Sequence, residues 1–236
     1  MSTLLLRIKG PMQSWGVSSK FDTRTTERAP SKSAIVGMIA GALGRRRNEP
    51  IDDLNALRFG VRIDDEGKLM RDYHTAKSVK SAYVTHRYYL ADAAFLVGLE
   101  GDDAFLEEIR DALLHPYFPL FLGRRSCPPE GRIVLGIRHV GLMDALQNEP
   151  WLNEGLKKQK NTQLQYILDA ASDEKEDTLL RDRPLSFNQE KRQFGFRRVV
   201  EKTTKSNACA DPLPTTEHDP MAQLDAYKEE NQDVSF

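Results

Sequence analysis

The residues best equipped for chemistry fall into three stretches. Residues 69–89, LMRDYHTAKSVKSAYVTHRYY, interleave Arg71, Lys77, Lys80 and Arg87 with Tyr73, His74, Tyr83, His86, Tyr88 and Tyr89, against Asp72 as the single acid. Cations mixed with rings suit single-stranded nucleic acid, because aromatic and guanidinium planes stack on bases while the charges follow the phosphates. The same composition also suits a tyrosine-lined strand pair packed on a core. A second stretch carries Lys20, Arg24, Arg28 and Lys32 into a helix start, where free amide groups attract anions. The third, Gly123-Arg124-Arg125, puts two guanidinium groups in a strand-end loop. That arrangement suits phosphate, and it serves local ion pairs equally well.

Catalysis is the rival use of the first stretch. Metal-independent RNA cleavage needs a group to deprotonate a 2′-hydroxyl and cations to stabilise the phosphorane. Tyr73, His74 and His86, with Lys77 or Lys80, have the right functional groups. The simpler reading makes His74 a hydrogen-bonded structural or RNA-contact residue. Asp64-Asp65-Glu66 has turn composition, and no His/carboxylate spacing calls for a metal. No metal or other cofactor is expected.

Periodicity supplies the elements that must hold these groups. Leu4, Leu6 and Ile8 alternate with Arg7 and Lys9, which predicts a strand ended by Gly10-Pro11. Ser31 or Ser33 caps a helix with Ile35, Val36, Ile39 and Leu43 on one face, and Gly44 suits the left-handed position beyond it. Arg45, Arg46 and Arg47 then complement the helix dipole or reach for RNA. Residues 57–64 alternate as a strand with Phe59, Val61 and Ile63 inward and Arg62 and Asp64 outward. Residues 93–99 are apolar on both faces, as a central strand is. Asp102 or Asp103 starts a helix running through Leu114, and Phe118–Leu122 reads as a short strand.

Strand–helix–strand, a basic insertion, then strand–helix–strand predicts an α+β fold: a ferredoxin-like antiparallel sheet with both helices on one face. Further strands are expected at 133–140 and 163–168, a helical turn at 142–146, and a hairpin from 180–187 and 194–200. The expected organisation is a ferredoxin-like domain over 1–128 with an insertion at about 69–90. A small β-rich part follows over 129–205, and an acidic disordered tail over 206–236.

Bulk numbers narrow the partner. The net charge of −1 conceals a division: residues 206–236 hold seven acids and one base, which leaves +5 on the rest. Within 3–47 there are nine Lys/Arg against two acids, and 181–205 has eight bases against three acids. Clustered cations favour nucleic acid over ordinary surface charge. Two cysteines, Cys127 and Cys209, are too few for a disulfide framework or a zinc site, so a reducing, cytoplasmic setting is expected. No run approaches the roughly 18–20 apolar residues of a membrane span.

Five strings carry a family resemblance: GPMQSWG at 10–16, RAPSKSAIVGMIAGALG at 28–44, RDYHT at 71–75, HRYYLADAAF at 86–95 and FLGRRSCP at 121–128. In this order and spacing they resemble the CasD family, the fifth-named Cas proteins of the type I-E CRISPR Cascade complex. The likeness covers about 4–128 and runs more loosely to RQFGFRRVV at 192–200. It implies a RAMP-type subunit in which the insertion is a thumb. Such a subunit holds the 5′ handle of the CRISPR RNA without cutting it, contacts the backbone subunits and the large subunit, and meets target DNA only through the assembled complex. The RNA-binding residues expected on this basis are Lys9, Gln13, Arg24, Arg28, Ser31, Lys32, Ser33, His74, Arg87, Tyr88, Arg124 and Arg125.

Overall fold

The alternation of the first strand sets the layers. Leu4, Leu6 and Ile8 enter one apolar cluster while Leu5 enters another, so both faces of the strand are covered. The computed structural model describes residues 1–17, 23–77, 82–152, 163–171 and 177–205. In chain order its elements are β1 (Ser2–Lys9), β2 (Met12–Gln13), β3 (Thr23–Arg24), α1 (Lys32–Ala42), α2 (Asp52–Ala56), β4 (Arg58–Asp65), β5 (Lys68–Lys77) and β6 (Ala82–Ala91). There follow β7 (Ala94–Gly101), α3 (Asp103–Leu114), β8 (Val134–Arg138), α4 (Leu142–Asn148), β9 (Gln163–Asp169), β10 (Thr178–Ser186) and β11 (Gln193–Lys205).

Seven strands make one antiparallel sheet in the order β10-β11-β9-β4-β7-β1-β8. On one face Ile35, Val36 and Ile39 of α1 and Leu106, Ile109 and Leu113 of α3 pack against Leu4, Leu6, Ile8, Phe59, Val97 and Leu99. On the other, Leu142, Ala145 and Leu146 of α4 pack against Leu5, Leu96 and Tyr166. Gly98 lets α4 approach, since a Cβ there would lie 2.6 Å from Leu142 Cδ1. Helix caps follow the sequence: Ser31 accepts from Ala34 N, Asp102 from Ala104 N and Phe105 N, and Gly44 has φ +76°.

A row of partners crosses the sheet near one end: Ile8 pairs with Phe95, Phe95 with Ile63, Ile63 with Gln165, and Gln165 with Thr203. Lys9, Asp65, Ala94 and Lys205 therefore lie at the same end. From that end β5 and β6 extend as an antiparallel ribbon, and the short strands β2 and β3 add to the free edge of β6.

Two expectations are corrected. Phe118–Leu122 is not a strand; the strand on the outer edge of β1 is β8, so residues beyond 128 complete the same sheet. Pro119 and the tight loop after Leu122 break the extended run, and Leu122 N bonds to Cys127 O instead of to a neighbouring strand. Arg62 and Asp64 do not face solvent: they are 0% and 5% exposed, because α4 and the chain after it cover their side of β4. The short helix α2 carries too little periodicity to be read from the sequence. The tail expected over 206–236 lies outside the described residues.

Candidate nucleic-acid interface

The strand β6 gathers the candidate cations. Arg87 is paired in parallel register with Arg24 of β3 and in antiparallel register with Asp72 of β5, so these three share a face of the ribbon. Tyr89, two residues further along β6, lies on that same face and is buried. The guanidinium of Arg124 stands over its ring, 4.4 Å from the centroid, and Arg124 Nη2 donates to Arg24 O at 3.0 Å. Arginines at 24, 87 and 124 thus converge although the sequence separates them widely.

The loop bearing Arg124 is held tightly. Leu122 N donates to Cys127 O at 2.7 Å and Cys127 N to Arg124 O at 2.8 Å. Gly123 has φ +84°, and a Cβ on it would fall 1.7 Å from Ser14 O, so only glycine fits against the 10–16 loop. That loop is tied in turn: Ser14 N donates to Leu122 O at 3.1 Å and Ser14 Oγ to Tyr88 O at 3.1 Å. Burial pushes the Cys127 thiol above its ordinary range and keeps it neutral beside the arginines.

Arg87 Nε and Arg124 Nη1 are both buried and meet no acceptor among the described residues. A buried donor left unmade costs about 1–3 kcal/mol, so two at one place mark a site that an anionic ligand would complete. Arg28 and Arg125 are exposed nearby in sequence to this cluster, while Lys9 is paired with Glu130 at 3.3 Å.

Other expected contacts are turned inward. Gln13 is fully buried; its Nε2 donates to Ala93 O at 2.6 Å and its Oε1 accepts from Trp15 Nε1 at 3.2 Å, so it braces the loop. Ser31 caps α1 and its Oγ lies 3.2 Å from Ser33 Oγ. Lys32 is buried, with Nζ donating to Asn55 O, Leu57 O and Asp169 Oδ2 at 3.2, 2.7 and 3.0 Å. Burial lowers its pKa against the pull of Asp169. The helix N-terminus expected to attract phosphate is already occupied, since Lys32 N donates to Asp182 Oδ2 at 2.8 Å. Arg197, counted among the basic residues of 181–205, also pairs internally, with Asp182 at 2.6 Å and Asp169 at 2.7 Å.

The candidate cleavage residues are divided between the two faces. Tyr73 and His86 are register partners with ring centroids 6.0 Å apart, and Arg71 Nη2 lies 2.9 Å from His86 Nε2. Tyr88 is the partner of Arg71 on that same side, away from Arg87. His74 lies on the arginine side, its Nε2 2.6 Å from Asp72 Oδ2. Lys80 lies outside the described residues. Among the described residues, no cluster of His, Cys, Asp and Glu could hold a metal ion, and no helix is long and apolar enough to cross a membrane. Tyr89 was named only as one ring of the basic stretch and Ser14 only within GPMQSWG, and neither was expected to position Arg124. Their signal was the ring-and-cation interleaving and the GPMQSWG string.

A large antiparallel sheet with helices on both faces and a cationic strand ribbon at one end defines an α+β protein. Residues 3–200 match the family described as CRISPR-associated protein (Cas_Cas5), and this chain belongs to that family. It is 35% identical over 159 residues to "CRISPR system Cascade subunit CasD" of Escherichia coli (strain K12), a match covering 57% of this chain and 70% of that protein. It is also similar to two solved structures. One is described as "Crystal structure of Cas protein", with 42% identity, TM-score 0.70, and 86% of this chain and 95% of that chain covered. The other is described as "CRISPR RNA-guided surveillance complex", with 32% identity, TM-score 0.75, and 96% of this chain and 99% of that chain covered.

Proposed function

We propose that this protein is a non-catalytic RNA-binding subunit of a type I-E Cascade complex, holding the 5′ handle of CRISPR RNA and helping the complex assemble for target DNA recognition. The observation that carries the reading is the meeting of Arg24, Arg87 and Arg124 on one side of β6, two of them with buried unsatisfied donors. In this reading β4-β7-β1-β8 with α1 and α3 is a ferredoxin-like unit and the β5–β6 ribbon is its thumb. Strands β9, β10 and β11 form the β-rich C-terminal part. Arg28 and Arg125 extend the track for the phosphates, and the backbone and large subunits complete the site in a cytoplasmic ribonucleoprotein.

Tyr73 and His86 lie on the opposite face of the ribbon from His74, so the three residues of the endoribonuclease alternative cannot all act at one phosphate. The decisive experiment reconstitutes the complex with CRISPR RNA using Arg87→Ala and Arg124→Ala. Both variants are expected to fold normally and to load RNA poorly; wild-type loading by both would overturn the reading. Incubating the purified protein with precursor repeat RNA tests the alternative. Site-specific cutting that is lost in His74→Ala would replace binding with catalysis as the function.

A further inference from the structure

The arginine site contains a carboxylate that ought to weaken it. Asp72 stands directly across from Arg87 in the β5–β6 register. Opposed residues of an antiparallel pair carry their Cβ atoms about 4.5–5.5 Å apart on one face, where opposite charges ordinarily bond. Here they do not. Asp72 Oδ2 instead lies 2.6 Å from Nε2 of His74, two residues along the same strand and therefore on the same side. Arg87 has no ion-pair partner among the described residues, and its Nε meets no acceptor there.

We infer that His74 is a positioning residue of this site: by engaging Asp72 it keeps that carboxylate off Arg87 and leaves the guanidinium for an RNA phosphate. The inference rests on the RNA-binding reading above. Nε2 can donate to the carboxylate both as an imidazolium and as the neutral tautomer protonated there, so the arrangement does not need a charged histidine. His74 and Asp72 side chains are 45% and 37% exposed, so neither substitution opens a hole in the core. Without the imidazole, Asp72 is free to swing to its cross-strand neighbour and compete with phosphate from inside the protein. A carboxylate paired with a guanidinium makes a bidentate, charge-assisted contact that an incoming phosphate must displace.

The test measures binding of the full-length protein to a fluorescein-labelled single-stranded RNA of the repeat-derived 5′ end, by anisotropy at several salt concentrations. His74→Ala is expected to bind about tenfold more weakly, the effect of about one charge-assisted contact. Its slope of log affinity against log salt should be shallower by about one phosphate. Asp72→Asn is expected to bind at least as tightly as wild type, and the His74→Ala/Asp72→Asn double variant to recover the affinity and slope of Asp72→Asn. A double variant as weak as His74→Ala would mean that His74 itself touches RNA, and wild-type binding by His74→Ala would mean that Asp72 needs no restraint; either result overturns the inference. Arg87→Ala separates the two levels. If it binds like wild type, the RNA-binding reading of this face fails; if it is weak while His74→Ala is unchanged, only the role of His74 fails.

Discussion

Arg62 illustrates what a single side chain does when charge is buried and fully satisfied. Its Nε and Nη2 donate to Asp64 at 2.6 and 2.8 Å, Nη1 to the carbonyls of Leu146 and Glu149 at 2.5 and 2.6 Å, and Nη2 also to Pro150 O at 2.8 Å. The guanidinium therefore gathers the end of α4 onto β4. Arg62→Ala should destabilise the protein by about 3–5 kcal/mol in urea unfolding, because Asp64 would be left charged and uncompensated inside. Alternation in 57–64 identified the correct face for Arg62 but not what lies over that face. The covering helix begins some eighty residues later, a distance over which no periodicity carries information. Cys127 gives a second test. Folding holds the thiol protonated, so its contribution to stability is present below the ordinary thiol pKa of about 8.5 and is lost as pH rises through the higher folded value. In a Cys209→Ser background at about pH 8.5, iodoacetamide should label Cys127 slowly in the native protein and rapidly in urea. Equal rates would mean that the loop opens freely.

At the scale of elements, the N-terminus of α1 is fastened to the C-terminal hairpin. Asp182 of β10 accepts from Lys32 N and from Arg197 Nε and Nη2, while Asp169 of β9 takes Lys32 Nζ and Arg197 Nη1. Asp182→Ala should cost about 1–3 kcal/mol, since Arg197 Nε and Nη2 and Lys32 N lose their acceptor while Asp169 keeps Arg197 Nη1. It should also lower the melting temperature without changing the salt slope of RNA binding. The sequence offered Lys32 and the basic run over 181–205 to an anionic partner, because charge counts cannot reveal partners brought together by a sheet. Helices α1 and α3 were legible, since Ser31, Asp102 and Gly44 mark ends by local chemistry. The Gly123 loop was legible as glycine followed by arginines, but its contact with Ser14 was not. Gly123→Ala should displace the loop through its positive φ and the 1.7 Å approach to Ser14 O, and so weaken RNA loading through Arg124. Normal loading by this variant would show that the loop has room to spare.

For the molecule as a whole, the register that brings Lys9, Asp65, Ala94 and Lys205 to one end of the sheet also sets the direction of charge. The arginine ribbon leaves from that end, and residues 206–236, with seven acids and one base, follow directly from Lys205. Truncation after Lys205 should raise affinity for non-specific RNA at low salt, where long-range repulsion acts, with little change at high salt. Unchanged affinity at low salt would separate the tail from the site. Strands β1, β4 and β7 were readable because each is a local apolar pattern. Their wider sheet was not, since pairing such as Val61 with Ile167 is decided only on folding. Ser2, the partner of Gly101, sits at the opposite end of β1 from Lys9, some 25 Å away at about 3.4 Å per residue. A dye or purification tag placed ahead of Met1 would therefore sit far from the ribbon and report on loading without obstructing it, whereas one joined just after Lys205 would stand at the entrance.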